Sequence, residues 1–94
     1  MTAPPIEESH EQLRARLAAL MRSIARRDPV APFEPRDESR CLGDDLLSDS
    51  LDVLEFVVAL DRDFGVSIRD GKVGREVLQD LGTLTRFVRE RRPR

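Results

Sequence analysis

Tryptophan and tyrosine are absent, the aromatic complement is four phenylalanines, and cysteine and histidine occur once each, as Cys41 and His10. A lone cysteine excludes an intramolecular disulfide and a metal-thiolate cluster, and leaves Cys41 to be read as a buried or loop thiol. With one histidine beside it there is no His/Cys ligand set, so no metal site is expected. No glycine-rich phosphate loop and no dinucleotide fingerprint occurs either. Long apolar stretches are missing too: even the longest, such as Phe56 to Leu60, are far too short for a signal peptide or a membrane span, and the expected compartment is the cytoplasm. Runs of β-branched and aromatic residues, the mark of strands, are also lacking.

What is present is 39% hydrophobic residues and 36% charged ones over 94 positions. That mixture suits an all-α bundle built on Leu and Val in one small domain, 1–94, too small for a large catalytic cleft. The net charge of −2 hides an uneven distribution. From Asp37 to Asp63 nine acids face two arginines, a balance of −7; from Phe64 onward eight bases face four acids, +4. The middle is an acidic surface and the end is basic. Arg89, Arg91, Arg92 and Arg94 have no aromatic interleaving, so the tail at 91–94 reads as a solvated helix end and no nucleic-acid partner is expected.

Along the chain, Met1 to Pro5 reads as a frayed lead. A first helix follows with a Ser9/Gln12 capping-box pattern, or with an earlier start near Ile6, and an apolar stripe of Leu13, Leu17, Leu20, Met21 and Ile24. Three prolines, Pro29, Pro32 and Pro35, then impose a long loop that Val30 and Phe33 could pin to the bundle. Leu42, Leu46 and Leu47 are its inward anchors. After Ile68 the spacing predicts a flexible connector at 69–74 and a short third helix over 75–81. Gly82 ends that helix, and Thr83 caps a last one carrying Leu84, Phe87 and Val88.

The best specified segment is Leu47 to Phe64. Asp49 has an N-cap side chain with Asp52 three residues on, Gly65 stands where a left-handed C-cap belongs, and Leu51, Leu54, Val57 or Val58, Leu60 or Ala59 and Phe64 recur at helical spacing. Ser50 therefore sits in the first turn, where free N–H groups and the helix dipole favour an anion such as a phosphate on its oxygen. His10 lies forty residues away on another element. Asp49 and Asp52, solvated and ionised, are poor bases for an alcohol, so no catalytic residue and no enzyme activity is expected. Taken alone, Ser50 reads as a second capping residue.

The string Asp49-Ser50-Leu51-Asp52, continued by Val-Leu-Glu-Phe-Val-Val-Ala-Leu-Asp and closed by Phe64-Gly65-Val66-Ser67-Ile68, resembles the acyl carrier protein family. The resemblance is close from about Asp45 to Ile68 and loose elsewhere. It implies a four-helix bundle of acyl-carrier type, with three main helices, a short third one and a long first loop. It also implies that Ser50 carries 4′-phosphopantetheine derived from coenzyme A, on which acyl or related intermediates ride as thioesters, fatty acid biosynthesis being one such setting. The implied partners are a phosphopantetheinyl transferase and acyl-loading and acyl-using enzymes with basic patches. Asp49, Leu51, Asp52, Glu55 and Asp61 would dock them, and the carrier is expected to be a monomer.

Two departures stand out. Leu47 occupies a position where the family usually has Gly, and Phe64 to Thr83 is longer than in common fatty-acid carriers, as in specialised members with an enlarged third-helix region. The expected core is Leu13, Leu17, Leu20, Ile24, Leu46, Leu51, Leu54, Val58, Phe64, Ile68, Leu81, Leu84, Phe87 and Val88. The competing reading is a helical adaptor without a prosthetic group, binding a basic partner through its acidic helix.

Overall fold

The computed structural model describes residues 8–28, 30–43 and 45–92. The expected frayed lead at 1–5 and the last two residues of the basic tail lie outside them. Four helices follow one another: α1 His10–Ile24, α2 Ser50–Phe64, α3 Gly71–Val77 and α4 Leu81–Arg91. Among the described residues there is no strand beyond a single bridge, Leu42 to Leu47, and no helix is long and apolar enough to cross a membrane. The fold is the expected all-α bundle with a long first loop and a short third helix.

α1 begins at its capping box rather than near Ile6: the Ser9 hydroxyl accepts from the Gln12 N–H at 3.1 Å, and the Gln12 side chain accepts from the Ser9 N–H at 2.9 Å. Leu13, Leu17, Ala18 and Met21 turn one face of α1 into the core, packed along α4 and against α2. α4 answers with Leu81, Leu84 and Val88, while its buried Thr85 returns its hydroxyl to the Leu81 carbonyl at 2.7 Å. Leu20, Ile24, Ile68 and Phe87 pack at the margin of this core.

The register of α2 differs from the expectation. Its buried face is Phe56, Ala59, Leu60 and Phe64, with Val53 alongside, whereas Leu51, Leu54 and Val58 are 63%, 63% and 65% exposed. Both sets follow i, i+3, i+7 spacing, so the helix carries two apolar stripes on roughly opposite sides. Phe56, the largest fully buried side chain, decides which stripe faces inward. It fills more of the interior than any leucine could.

Two anchors proposed for the long loop also fail. Val30 is 86% exposed and Leu42 is 50% exposed, because the loop is held from α1 by arginines and not by those side chains. The Arg22 guanidinium donates to the Asp28 and Ala31 carbonyls at 2.9 and 3.2 Å and lies over the Phe33 ring, 4.9 Å from its centroid. Phe33 does pack against the core, and Leu46 and Leu47 are fully buried. Leu47 needs no glycine backbone: its N–H donates to the Cys41 carbonyl at 2.9 Å, its carbonyl accepts from Gly43 at 2.8 Å, and its φ is not positive.

The second half is shifted from the sequence reading. α3 starts at Gly71, inside the segment expected to be a flexible connector, because Asp70 caps it through the Lys72 N–H at 2.8 Å. Gly82 breaks nothing. It lies in the first turn of α4, whose cap is Asp80, accepting from the Thr83 N–H at 2.7 Å. Glycine stands there because the first loop comes so close: a Cβ at 82 would meet Asp37 Cβ at 2.7 Å, and the Gly82 N–H donates to the Asp37 carbonyl at 2.9 Å.

Ion pairs close the ends of the bundle. The Glu8 carboxylate takes Arg16 from α1 and Arg92 from the cap of α4 at 2.8 and 2.9 Å, while the Arg16 guanidinium lies over Phe64 at 4.8 Å. Burial pushes the Glu8 carboxyl up, and the two guanidiniums more than offset it, leaving it below its ordinary range. His10 and Arg14 both reach Asp37 Oδ1, at 2.8 and 2.6 Å, and these hydrogen bonds hold the Asp37 carboxyl low.

Candidate functional site

The segment entering α2 leaves one hydroxyl, that of Ser50, exposed at the first helical position. Asp49 is extended, at φ −150° and ψ −177°, and its Oδ1 accepts from the Asp52 N–H at 3.0 Å. Asp52 answers by accepting from the Ser48 N–H at 2.9 Å, one residue further back than in an ordinary capping box. Between them Ser50 is the first helical residue and is exposed, and among the described residues no side chain hydrogen-bonds its Oγ. The N–H groups at the start of the turn have no intrahelical partner, so the positive end of the dipole lies beside that oxygen.

Asp49 and Asp52 are engaged in the cap, and His10 is paired with Asp37. Among the described residues, Ser50 thus has none of the hydrogen-bonded base and orienting acid of an activated nucleophile. Among the described residues no group of three or more His, Cys, Asp or Glu gathers to hold a metal ion. The site offers an open primary hydroxyl on a rigid helix end, which a group delivered by another protein can reach.

The other singled-out residues line the same helix. Glu55 and Asp61 are exposed and Asp52 is half-buried. Arg62 folds onto Asp63 at 2.9 Å, and that hydrogen bond lowers the Asp63 carboxyl and raises the Arg62 guanidinium. The pair largely cancels in charge, and among the described residues Asp61 is the acid at that end without an ion-pair partner. Leu51, Leu54 and Val58 run along the surface immediately behind Ser50, flanked by Glu55 and Asp61. Sequence reasoning had counted this stripe as core. The signal it missed was the second apolar stripe through Val53, Phe56 and Leu60, which competes for the interior.

Cys41 is fully buried, and burial together with the charge of Asp80 pushes its thiol up to about 12. It is therefore inert at neutral pH. A groove of about 600 Å³ between α1 and the first loop is lined by Ala15, Ala18, Ala19, Arg22 and Phe33 among others, and by none of the residues around Ser50.

No family model matches the chain, and no solved structure matches it. Over 59 residues, 63% of its length, the chain is 37% identical to the acyl carrier protein of Wolinella succinogenes and spans 74% of that relative.

Proposed function

The chain belongs to the acyl carrier protein family, and from that premise we propose that Ser50 is the attachment point of a 4′-phosphopantetheine arm on which acyl or related groups travel as thioesters between partner enzymes. The observation that carries the reading is the exposed Ser50 hydroxyl, without a hydrogen-bond partner among the described residues, at the N-terminus of a doubly capped helix. The site fits the group. Its open position accommodates a bulky phosphodiester, and the free N–H groups and dipole of the first turn favour the phosphate charge.

In loading, Ser50 Oγ forms a bond to the phosphorus that bears pantetheine in coenzyme A, the bond to the nucleotide phosphate breaks, and the serine proton passes to a base of a phosphopantetheinyl transferase. The arm, when bound, supplies a terminal thiol that holds acyl groups. The chain's own residues do the rest: Asp49 and Asp52 fix the turn, and the buried Phe56 and Leu60 hold the helix against the bundle. Tethering keeps the cargo at about mM effective concentration near a docked enzyme.

Docking falls to the exposed face of α2. Leu51, Leu54 and Val58 offer an apolar strip, and Asp49, Asp52, Glu55 and Asp61 surround it with negative charge that steers partners bearing basic patches. Asp52 is ill suited to a charge-reversal test, since it also holds the Ser48 N–H. The double variant Glu55→Lys with Asp61→Lys is expected to raise the transferase KM about 3- to 10-fold at low ionic strength, a difference that shrinks as salt rises. Equal KM values at low salt would count against steering.

Loading itself is tested by incubating the chain with coenzyme A and a broad-specificity transferase. Intact mass should rise by one phosphopantetheinyl group. A thiol reagent under native conditions should titrate no fast thiol before loading and one after it, since Cys41 is sealed and protonated. An unmodified mass favours the adaptor, which would use the same apolar and acidic face without an arm.

A further inference from the structure

Resting on the reading of Ser50 as the loaded residue, we propose that Arg27 is the positioning residue that presents it. α1 ends at Ile24 with Ala25 as its C-cap, and Arg26 takes a left-handed conformation at φ 57°, a turn that arginine adopts only at a cost. The chain reverses there, and Arg27 faces the segment that leads into α2. Its Nε donates to the Leu46 carbonyl at 3.1 Å, and its Nη2 donates to the Gly43 carbonyl at 3.1 Å and to the Ser48 hydroxyl at 2.8 Å. One planar guanidinium thus holds three acceptors within six residues, a geometry that lysine's point charge cannot reproduce.

The chain of contacts continues to the site. Ser48, fixed by Arg27, donates its N–H to Asp52, and Asp52 donates its own N–H to Asp49, the cap immediately before Ser50. Among the described residues, the side-chain hydrogen bonds that run from the loop to the first turn of α2 pass through Ser48. The same bond ties the Ser48 hydroxyl, two residues from Ser50, to Arg27 as an acceptor, whereas among the described residues no side chain bonds the Ser50 hydroxyl. Leu46 and Leu47 keep the segment attached to the core in any case. What Arg27 adds is a single orientation of the turn.

A transferase meeting a turn that samples several orientations binds only the competent fraction, so loss of Arg27 should appear in KM rather than in kcat. With two or three hydrogen bonds removed, the KM of Arg27→Gln for transfer from coenzyme A is expected to rise about 10-fold, with kcat within about twofold. Arg27→Lys should fall between it and the unaltered chain. Arg26→Gln, which removes the same charge from the adjacent exposed position, should stay within about twofold of the unaltered chain. Amide hydrogen exchange in Arg27→Gln should accelerate over residues 43–52 and remain unchanged in α1 and α4.

A KM for Arg27→Gln matching that of Arg26→Gln, or exchange accelerated equally in all helices with kcat falling instead, would overturn the assignment. If Arg27→Gln does not fold, Ser48→Ala removes only one of the three bonds. That variant should raise KM about 2- to 3-fold with faster exchange confined to 43–52, and no change in either would overturn the assignment as well. Failure of the unaltered chain to accept the group would refute the role of Ser50, while the exchange pattern would still decide whether Arg27 orders the turn.

Discussion

Ser50→Ala is expected to abolish loading completely while leaving the fold within about 0.5 kcal/mol of the unaltered chain. The expectation follows from what the side chain does and does not touch. Its hydroxyl has no partner among the described residues, the position is exposed, and the helix cap is Asp49. Alanine is a good helix former at a first-turn position, so no structural contact is lost. The only thing removed is the oxygen to which a phosphoryl group could be joined. Identical thermal unfolding with no gain of mass after incubation with transferase and coenzyme A is the predicted pair of results. Recovery of a pantetheinylated Ser50→Ala chain would mean that a different hydroxyl is used.

The second large effect concerns which stripe of α2 holds the bundle together. Phe56 is fully buried, and truncation to alanine should cost about 3–5 kcal/mol, most of the stability of a domain this small. Leu54, two residues away and 63% exposed, should tolerate alanine within about 0.5 kcal/mol. Leu54→Ala should instead weaken engagement by the transferase and other partners, because the strip behind Ser50 loses its central member. Urea unfolding of the two variants separates the possibilities. Similar losses for both, or the larger loss at Leu54, would put the helix in the register first inferred from sequence and contradict the structure.

That register was hidden for a physical reason. α2 has apolar residues at 51, 54 and 58 and again at 53, 56, 60 and 64, and periodicity alone ranks neither set. On the proposed docking role, a helix that buries one face and offers another to partners carries both, so the exposed stripe imitates a core. The helix ends were legible because they rest on local chemistry: the Asp49 cap, the left-handed Gly65 at φ 68° and the Ser9/Gln12 capping box all act within a few residues. Gly82 was misread because glycine ordinarily breaks helices, whereas here it makes room for Asp37, forty-five positions earlier in the chain. No local pattern could reveal that contact.

The arginines tell the same story. Arg14, Arg16 and Arg22 lie off the apolar stripe of α1 and Arg27 falls at the start of the proline-rich loop, yet each is used to hold a loop or an end of the bundle. Charged side chains that donate to backbone carbonyls leave no periodic trace, since their partners are oxygen atoms that every residue possesses. This is why the proline-rich loop seemed to need Val30 and Leu42 as anchors. The guanidiniums of Arg22 and Arg27 supply the attachment, and those two side chains stay in solvent. The motif around Ser50 could be read from sequence, whereas the arginine contacts that hold the segment before it could not.

The most direct test of the central claim is peptide-level mass spectrometry of the chain after incubation with coenzyme A and a broad-specificity transferase. A single phosphopantetheinyl group on Ser50, with Ser48 unmodified, is the predicted result. An unmodified Ser50, or the group found on Ser48 or another serine, would contradict it.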